Sequence, residues 1–154
     1  MVYNERLFAD VVLNLYYVGM NAFGWYFWLF GGQTRRSQSG LEVGVISLKH
    51  ASVLALLIVS GTLLMGWTFA TYSNADLAYA DSFTTIASFV AMYLAAKKYL
   101  ESWYLWFVVD VVQVILYLVK GIELYALLYL VYLAMAYWGW KAWKESLRQV
   151  TIEP

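Results

Sequence analysis

ESWYLWFVVDVVQVILYLVKG, residues 101–121, decides how this chain is read. The run is apolar and ends at Lys120-Gly121, yet Asp110 sits near its middle and Trp103 and Trp106 lie just ahead of it. Side chains three and four apart share one face of a helix. Trp103, Trp106, Asp110, Gln113 and Tyr117 step by those intervals and form one stripe. The remaining positions, from Leu105 and Phe107 through Val108, Val111 and Ile115 to Leu118, are free to meet lipid or neighbouring helices. A charge at the bilayer centre costs about 2.5–3.5 kcal/mol on insertion scales, so a carboxylate there turns to the bundle interior or to a wet cavity.

The rest of the chain supports a lipid solvent. Of 154 residues, 63% are hydrophobic and 13% charged, about half the charge of an ordinary soluble domain. Net charge is zero, which gives no electrostatic case for nucleic acid. There is no cysteine and a single histidine, His50, so disulfides, thiolate sites and a histidine metal centre are excluded. Phosphate-loop, nucleophile-elbow and zinc-protease signatures are absent, and so is a second acid–base residue at the depth of Asp110. The sequence therefore predicts neither an enzyme nor a cofactor.

A membrane helix needs about 20 mostly apolar residues. Five stretches qualify, near 8–30, 50–72, 82–96, 103–119 and 124–140. The expected organisation is a helix in residues 1–32, a loop over 33–49, a linker helix over 50–72 and an outer loop over 73–81. A three-helix bundle follows over 82–143, then a tail over 144–154. Alternate loops place Arg35, Arg36, Lys49, Lys97, Lys98, Lys141, Lys144 and Arg148 on one side, and Arg6 and Lys120 on the other. The positive-inside rule then puts the C-terminus in the cytoplasm and the N-terminus outside. Trp25, Trp28, Trp103, Trp140 and Trp143 fall near expected interfaces, where belt tryptophans sit. His50 reads as an interfacial residue.

Gly24–Trp28, GWYFW, and Gly139–Trp143, GWKAW, can be laid on one another. The same shift pairs Leu15 with Leu130, Tyr17 with Tyr132 and Met20 with Met135. Spans one and five point the same way, which suggests a parallel repeat with the second span as its linker. Spans three to five then form a complete triple. The first span matches the last helix of another triple.

Asn14, Tyr17 and Asn21 share a face of the first span, and Asp10 continues it as a helix-start carboxylate. For the two asparagines, interhelical hydrogen bonding competes with ligand contact. For Asp110, a plain alternative is a protonated carboxyl bonded to a hydroxyl of Thr84, Thr85 or Ser88 on the third span. The functional alternative is a site for a flat cation. Tryptophan faces attract cations by about 2 kcal/mol or more when desolvated, the carboxylate balances charge, and Gln113 and Tyr117 supply directed hydrogen bonds.

ESWYLWFVVD, YLVKGIELYALLYLVYLAMAYWGWKAWKESL, LFADVVLNLYYVGMNAFGWYFW and DSFTTIASFVAMYLAAKK together resemble the nicotinamide riboside transporter (PnuC) family over about residues 7–147. The resemblance implies an all-α membrane protein with a SWEET-like fold, two parallel three-helix bundles joined by a linker helix. It implies facilitated diffusion across the bacterial inner membrane, with trapping by an intracellular kinase. On this resemblance Trp103 and Trp106 are the family's tryptophan motif at the substrate, and Asp110 is a polar position of the same site. Asn14 and Met92 stand where many members carry glutamine. Substrate-binding residues are expected to be Trp103, Trp106, Asp110, Gln113, Asn14, Tyr17, Asn21, Thr85, Ser88 and Tyr117. The substrate is expected to be nicotinamide riboside or thiamine, both fixed cations.

Typical members have about seven helices, and this chain matches from the third. A truncated product, a gene model begun at an internal methionine, and a reduced form completed as a homo-oligomer all fit that match. A proton-coupled exporter of another small cation and a non-transporting membrane subunit are the competing functions.

Overall fold

A computed structural model describes residues 2–30, 36–37, 40–73 and 77–152. The side chains of Arg6, Asp10 and Arg36, and residues Arg35 and Asp76, lie outside what it describes. Five helices dominate: α1 (Val2–Phe30), α2 (Leu48–Tyr72), α3 (Ala78–Ala96), α4 (Glu101–Val119) and α5 (Glu123–Ile152). Between α1 and α2 lies a minimal antiparallel pair, β1 (Arg36–Ser37) and β2 (Gly40–Leu41). By length and composition alone, α2 (mean hydropathy 2.0) and α4 (1.8) are apolar enough to cross a membrane.

The helices outrun the apolar windows that reveal them in the sequence. α3 starts at Ala78 rather than Ser82, α1 reaches back to Val2, and α5 continues through the expected tail to Ile152. A lipid-length criterion marks only the greasy part of a helix. Helix formers such as alanine, leucine and lysine, with no glycine or proline, as in KAWKESLRQVTI, carry the helix onward.

α3 is the hub: α1, α2 and α4 all pack on it, and α4 packs on α5. Its buried positions are mostly small, Ala78, Ser82, Thr84, Ala87, Ala91 and Ala96, which lets helix backbones approach where lipid supplies no hydrophobic drive between helices. Its hydroxyls are internally satisfied. Ser82 donates to the carbonyl of Ala78, Thr84 and Thr85 to that of Asp81, and Ser88 to that of Thr84. On α1, Tyr16 meets Phe89 at 4.7 Å and the Trp28 indole donates to the Ala95 carbonyl. α2 packs chiefly on α3, with Gly66 making room for Tyr79. Large apolar side chains such as Leu48, Leu64, Leu124 and Leu130 point outward.

Two corners fix where α4 lies. After α3, Lys98 takes a left-handed conformation (φ 58) while Tyr99 N–H reaches back to Leu94 O. After α4, Gly121 (φ 71) plays the same part and Ile122 N–H reaches Tyr117 O, the bond of a Schellman cap. The segment entering α2 is stitched to the first corner: Gly44 N–H donates to Lys98 O and Leu100 N–H to Gly44 O. Ile46 N–H donates to the Glu101 carboxylate at the first turn of α4. Ser47 then caps α2 and its hydroxyl lies 2.7 Å from His50 Nδ1. Partial burial pulls the Lys98 ammonium below its ordinary value, and it lies 5.2 Å from the Trp28 ring centre. At the opposite end Lys120 pairs with Asp81 at 3.0 Å, tying α3 to the α4–α5 corner.

Gly139 is a close fit in the bundle. A Cβ there would run into the six-membered ring of Trp103, whereas one at Gly19 would meet nothing within 4 Å. Gly139→Ala should therefore destabilise the protein by about 1–3 kcal/mol, the usual cost of overpacking. Gly19→Ala should be neutral or stabilising by up to about 1 kcal/mol. Thermal unfolding of both variants in detergent checks the contrast, and equal melting temperatures would contradict it.

Candidate substrate site

One face of α4 turns inward along the predicted stripe. Trp103, Trp106, Asp110 and Gln113 border a cavity of about 260 Å³, together with Val109 of the same helix. Tyr17 closes it from α1, Ser88 from α3, and Tyr129, Tyr132, Met135 and Ala136 from α5. Asp110 is only 5% exposed. The wall contains no lysine, arginine or histidine, and among the described residues no hydrogen bond or ion pair engages the carboxylate. The hydroxyls of Thr84, Thr85 and Ser88 donate to carbonyls of their own helix instead. The pairing that would make Asp110 purely structural is thus not formed.

The indoles are held by one another. Trp103 meets Trp143 edge-on at 5.3 Å, and Trp143 meets Trp28 edge-on at 6.0 Å. This chain of rings joins α4, α5 and α1, and edge-to-face pairs of this kind add about 0.5–1.5 kcal/mol beyond burial. Trp28 and Trp143 are partners under the repeat shift, and so are Tyr17 and Tyr132 on the cavity wall. Of the residues paired by that shift, Trp28 and Trp143 touch and Tyr17 and Tyr132 border one cavity. The Trp103 indole N–H is buried and, among the described residues, donates to nothing.

Six of the ten residues singled out in the sequence gather here: Trp103, Trp106, Asp110, Gln113, Tyr17 and Ser88. The other four lie elsewhere. Tyr117 is stacked between Tyr125 (5.2 Å) and Tyr129 (5.5 Å), so it backs the wall rather than lining it. Thr85 is turned to the Asp81 carbonyl. Asn14 is exposed on α1 and outside this wall. Asn21 borders a different cavity of about 570 Å³, with Met20, Gly24, Trp25, Trp28 and Met92. That space is larger but its wall is poorly equipped for recognition. The Asn21 amide already donates to the Tyr17 carbonyl and the Trp28 indole to that of Ala95.

Tyr129, Tyr132 and Met135 were not picked out from the sequence. Tyr125, Tyr129 and Tyr132 recur at helical spacing on α5, a stripe as typical of packing as of binding. The repeat offered the one usable signal, since it pairs Tyr132 with Tyr17.

A family model described as nicotinamide mononucleotide transporter matches residues 1–145. The nicotinamide riboside transporter PnuC of Escherichia coli (strain K12) is 26% identical over an alignment of 129 residues, covering 68% of this chain and 53% of the relative. The PnuC of Shigella flexneri matches to the same extent. The chain thus spans about half the length of these curated relatives. A crystal structure of the vitamin B3 transporter PnuC superposes with a TM-score of 0.68 at 23% identity, over 96% of this chain and 66% of that one. The relatives are transporters, not enzymes. With a family model matching nearly its whole length, this chain belongs to the nicotinamide mononucleotide transporter family, the family of PnuC.

Proposed function

We propose that this chain binds nicotinamide riboside, or a closely related cationic vitamin precursor, and moves it across the bacterial inner membrane by facilitated diffusion. One observation carries the reading: Trp103, Trp106, Asp110 and Gln113 converge with Tyr17 and Tyr132 on one cavity that holds no basic residue. Its volume of about 260 Å³ is near the lower end of small-molecule pockets, roughly 300–1,000 Å³, and suits a single heterocycle with a small substituent. The indoles offer π faces to a pyridinium or thiazolium ring. The carboxylate would balance its charge, and Gln113, Ser88 and the tyrosines are the other polar groups of the wall that a substrate could meet. Thiamine satisfies the same chemistry and is the second substrate to test.

The mechanism that fits is uniport. The helices α3–α5 form one bundle of a SWEET-like pair, with α2 as the linker and α1 as a member of the other bundle. Rocking between bundles would expose the cavity to each side in turn. The concentration gradient drives flux, and phosphorylation by a cytoplasmic kinase keeps the product inside. The charge distribution favours an external N-terminus and cytoplasmic C-terminus. A homo-oligomer is the assembly proposed for the chain.

Isothermal titration of the protein in lipid nanodiscs with nicotinamide riboside and with thiamine tests the assignment. Trp106→Ala and Asp110→Ala should each raise Kd at least about tenfold, the loss of roughly 1.4 kcal/mol. Affinity unchanged by both substitutions would remove these residues from the site. No heat from either compound on the unaltered protein would reject the substrate class, and binding without flux in proteoliposomes would favour a non-transporting subunit.

A further inference from the structure

We infer that Gly139 and Trp143 of α5 are positioning residues: together they seat the Trp103 indole at the edge of the substrate cavity. The inference rests on the substrate reading above and names two residues that act through a ring of that site without lining it. Tyr129, Tyr132, Ala136, Gly139 and Trp143 step by three, four, three and four, so they share one face of α5. Tyr129, Tyr132 and Ala136 border the cavity, whereas Gly139 and Trp143 follow one and two turns further along that face. α4 runs antiparallel to α5, and residue sizes on the two helices are matched. Tyr117 stacks on Tyr125 and Tyr129 at one end. At the other end the Trp103 ring occupies the space that a side chain at Gly139 would take.

Two contacts with α5 hold Trp103. A Cβ at Gly139 would strike the outer atoms of its six-membered ring, and Trp143 meets it edge-on at 5.3 Å. Trp103 also borders two hollows. One is the substrate cavity. The other is an apolar recess of about 230 Å³ walled by Phe107, Tyr137 and Trp140, with Ala136 shared between the two. An indole pushed off its seat therefore has room to shift. A cation–π contact needs the charge over the ring face, within about 6 Å of its centre. A displaced Trp103 thus loses affinity while every residue of the wall is still present. Gly66 supplies the contrast. A Cβ there would strike the ring of Tyr79 between α2 and α3 in the same way, but neither residue borders the cavity.

The test is calorimetric titration of nicotinamide riboside into variants in nanodiscs, with melting temperature measured alongside. Gly139→Ala and Trp143→Leu should each raise Kd roughly tenfold. A Trp103→Phe background lacks the ring atoms that the added Cβ strikes. In that background neither substitution should change Kd by more than about twofold, because residues acting through one ring are not additive. Gly66→Ala should lower the melting temperature yet leave Kd unchanged. If Gly139→Ala does not fold, Trp143→Leu, which introduces no collision, carries the same test. An unchanged Kd in either folded α5 variant would overturn the positioning role and leave the substrate reading intact. Equal loss of affinity with and without the Trp103→Phe change, or an equal loss in Gly66→Ala, would also overturn it. Absence of binding by the unaltered protein would reject the substrate reading and the positioning role together.

Discussion

The arrangement depends on a single buried carboxylate. An ionised Asp110 turned to hydrocarbon would cost several kcal/mol, and no described basic side chain is near enough to offset that. Turning the residue inward fixes the rotation of α4 about its axis. That rotation brings Trp103, Trp106 and Gln113 to the same wall and sends Phe107, Val108, Val111 and Ile115 outward. The helix then needs neighbours that leave a hollow beside the carboxylate and close contact elsewhere. The small residues of α3 and the absent side chain of Gly139 provide the contact. The tyrosines of α5 and Tyr17 of α1 frame the hollow.

Residues paired by the sequence shift also come together in space. Trp28 and Trp143 touch, and Tyr17 and Tyr132 border the same space, although each pair is separated by most of the chain. The larger hollow beside Asn21 shows the converse: volume alone makes no site where the wall is almost wholly apolar and the Asn21 and Trp28 N–H donors serve backbone carbonyls.

Much of this was legible in the sequence because it follows from periodicity and solvent. Helix number, the inward stripe of α4 and the Lys120-Gly121 corner are one-dimensional patterns. Helix ends were less legible, since α1, α3 and α5 extend past their apolar windows into sequence that is polar yet helix-forming. The contribution of α5 to the wall was hidden because Tyr129 and Tyr132 belong to a stripe that also packs against Tyr117. Tyr117 was misleading for the same reason: it lies on the correct face, but one turn beyond the hollow it is enclosed by Tyr125 and Tyr129. Facing direction is set by a helix's own spacing, whereas which residues on that face meet open space is set by the partner helix.

The account stands on the Asp110 face of α4 opening to water rather than to lipid. The chain has no cysteine, so Gln113→Cys, one turn from Asp110, introduces a unique thiol while leaving the carboxylate intact. Val111→Cys puts the same thiol on the outward face, where Val111 is 38% exposed. The most direct measurement is the rate at which a charged, water-soluble methanethiosulfonate labels each variant in lipid vesicles. The account predicts rapid labelling of Gln113→Cys, slowed by nicotinamide riboside, and little labelling of Val111→Cys. Equal, negligible labelling of both, with the thiol at 113 reached only by a lipid-soluble reagent, would contradict it.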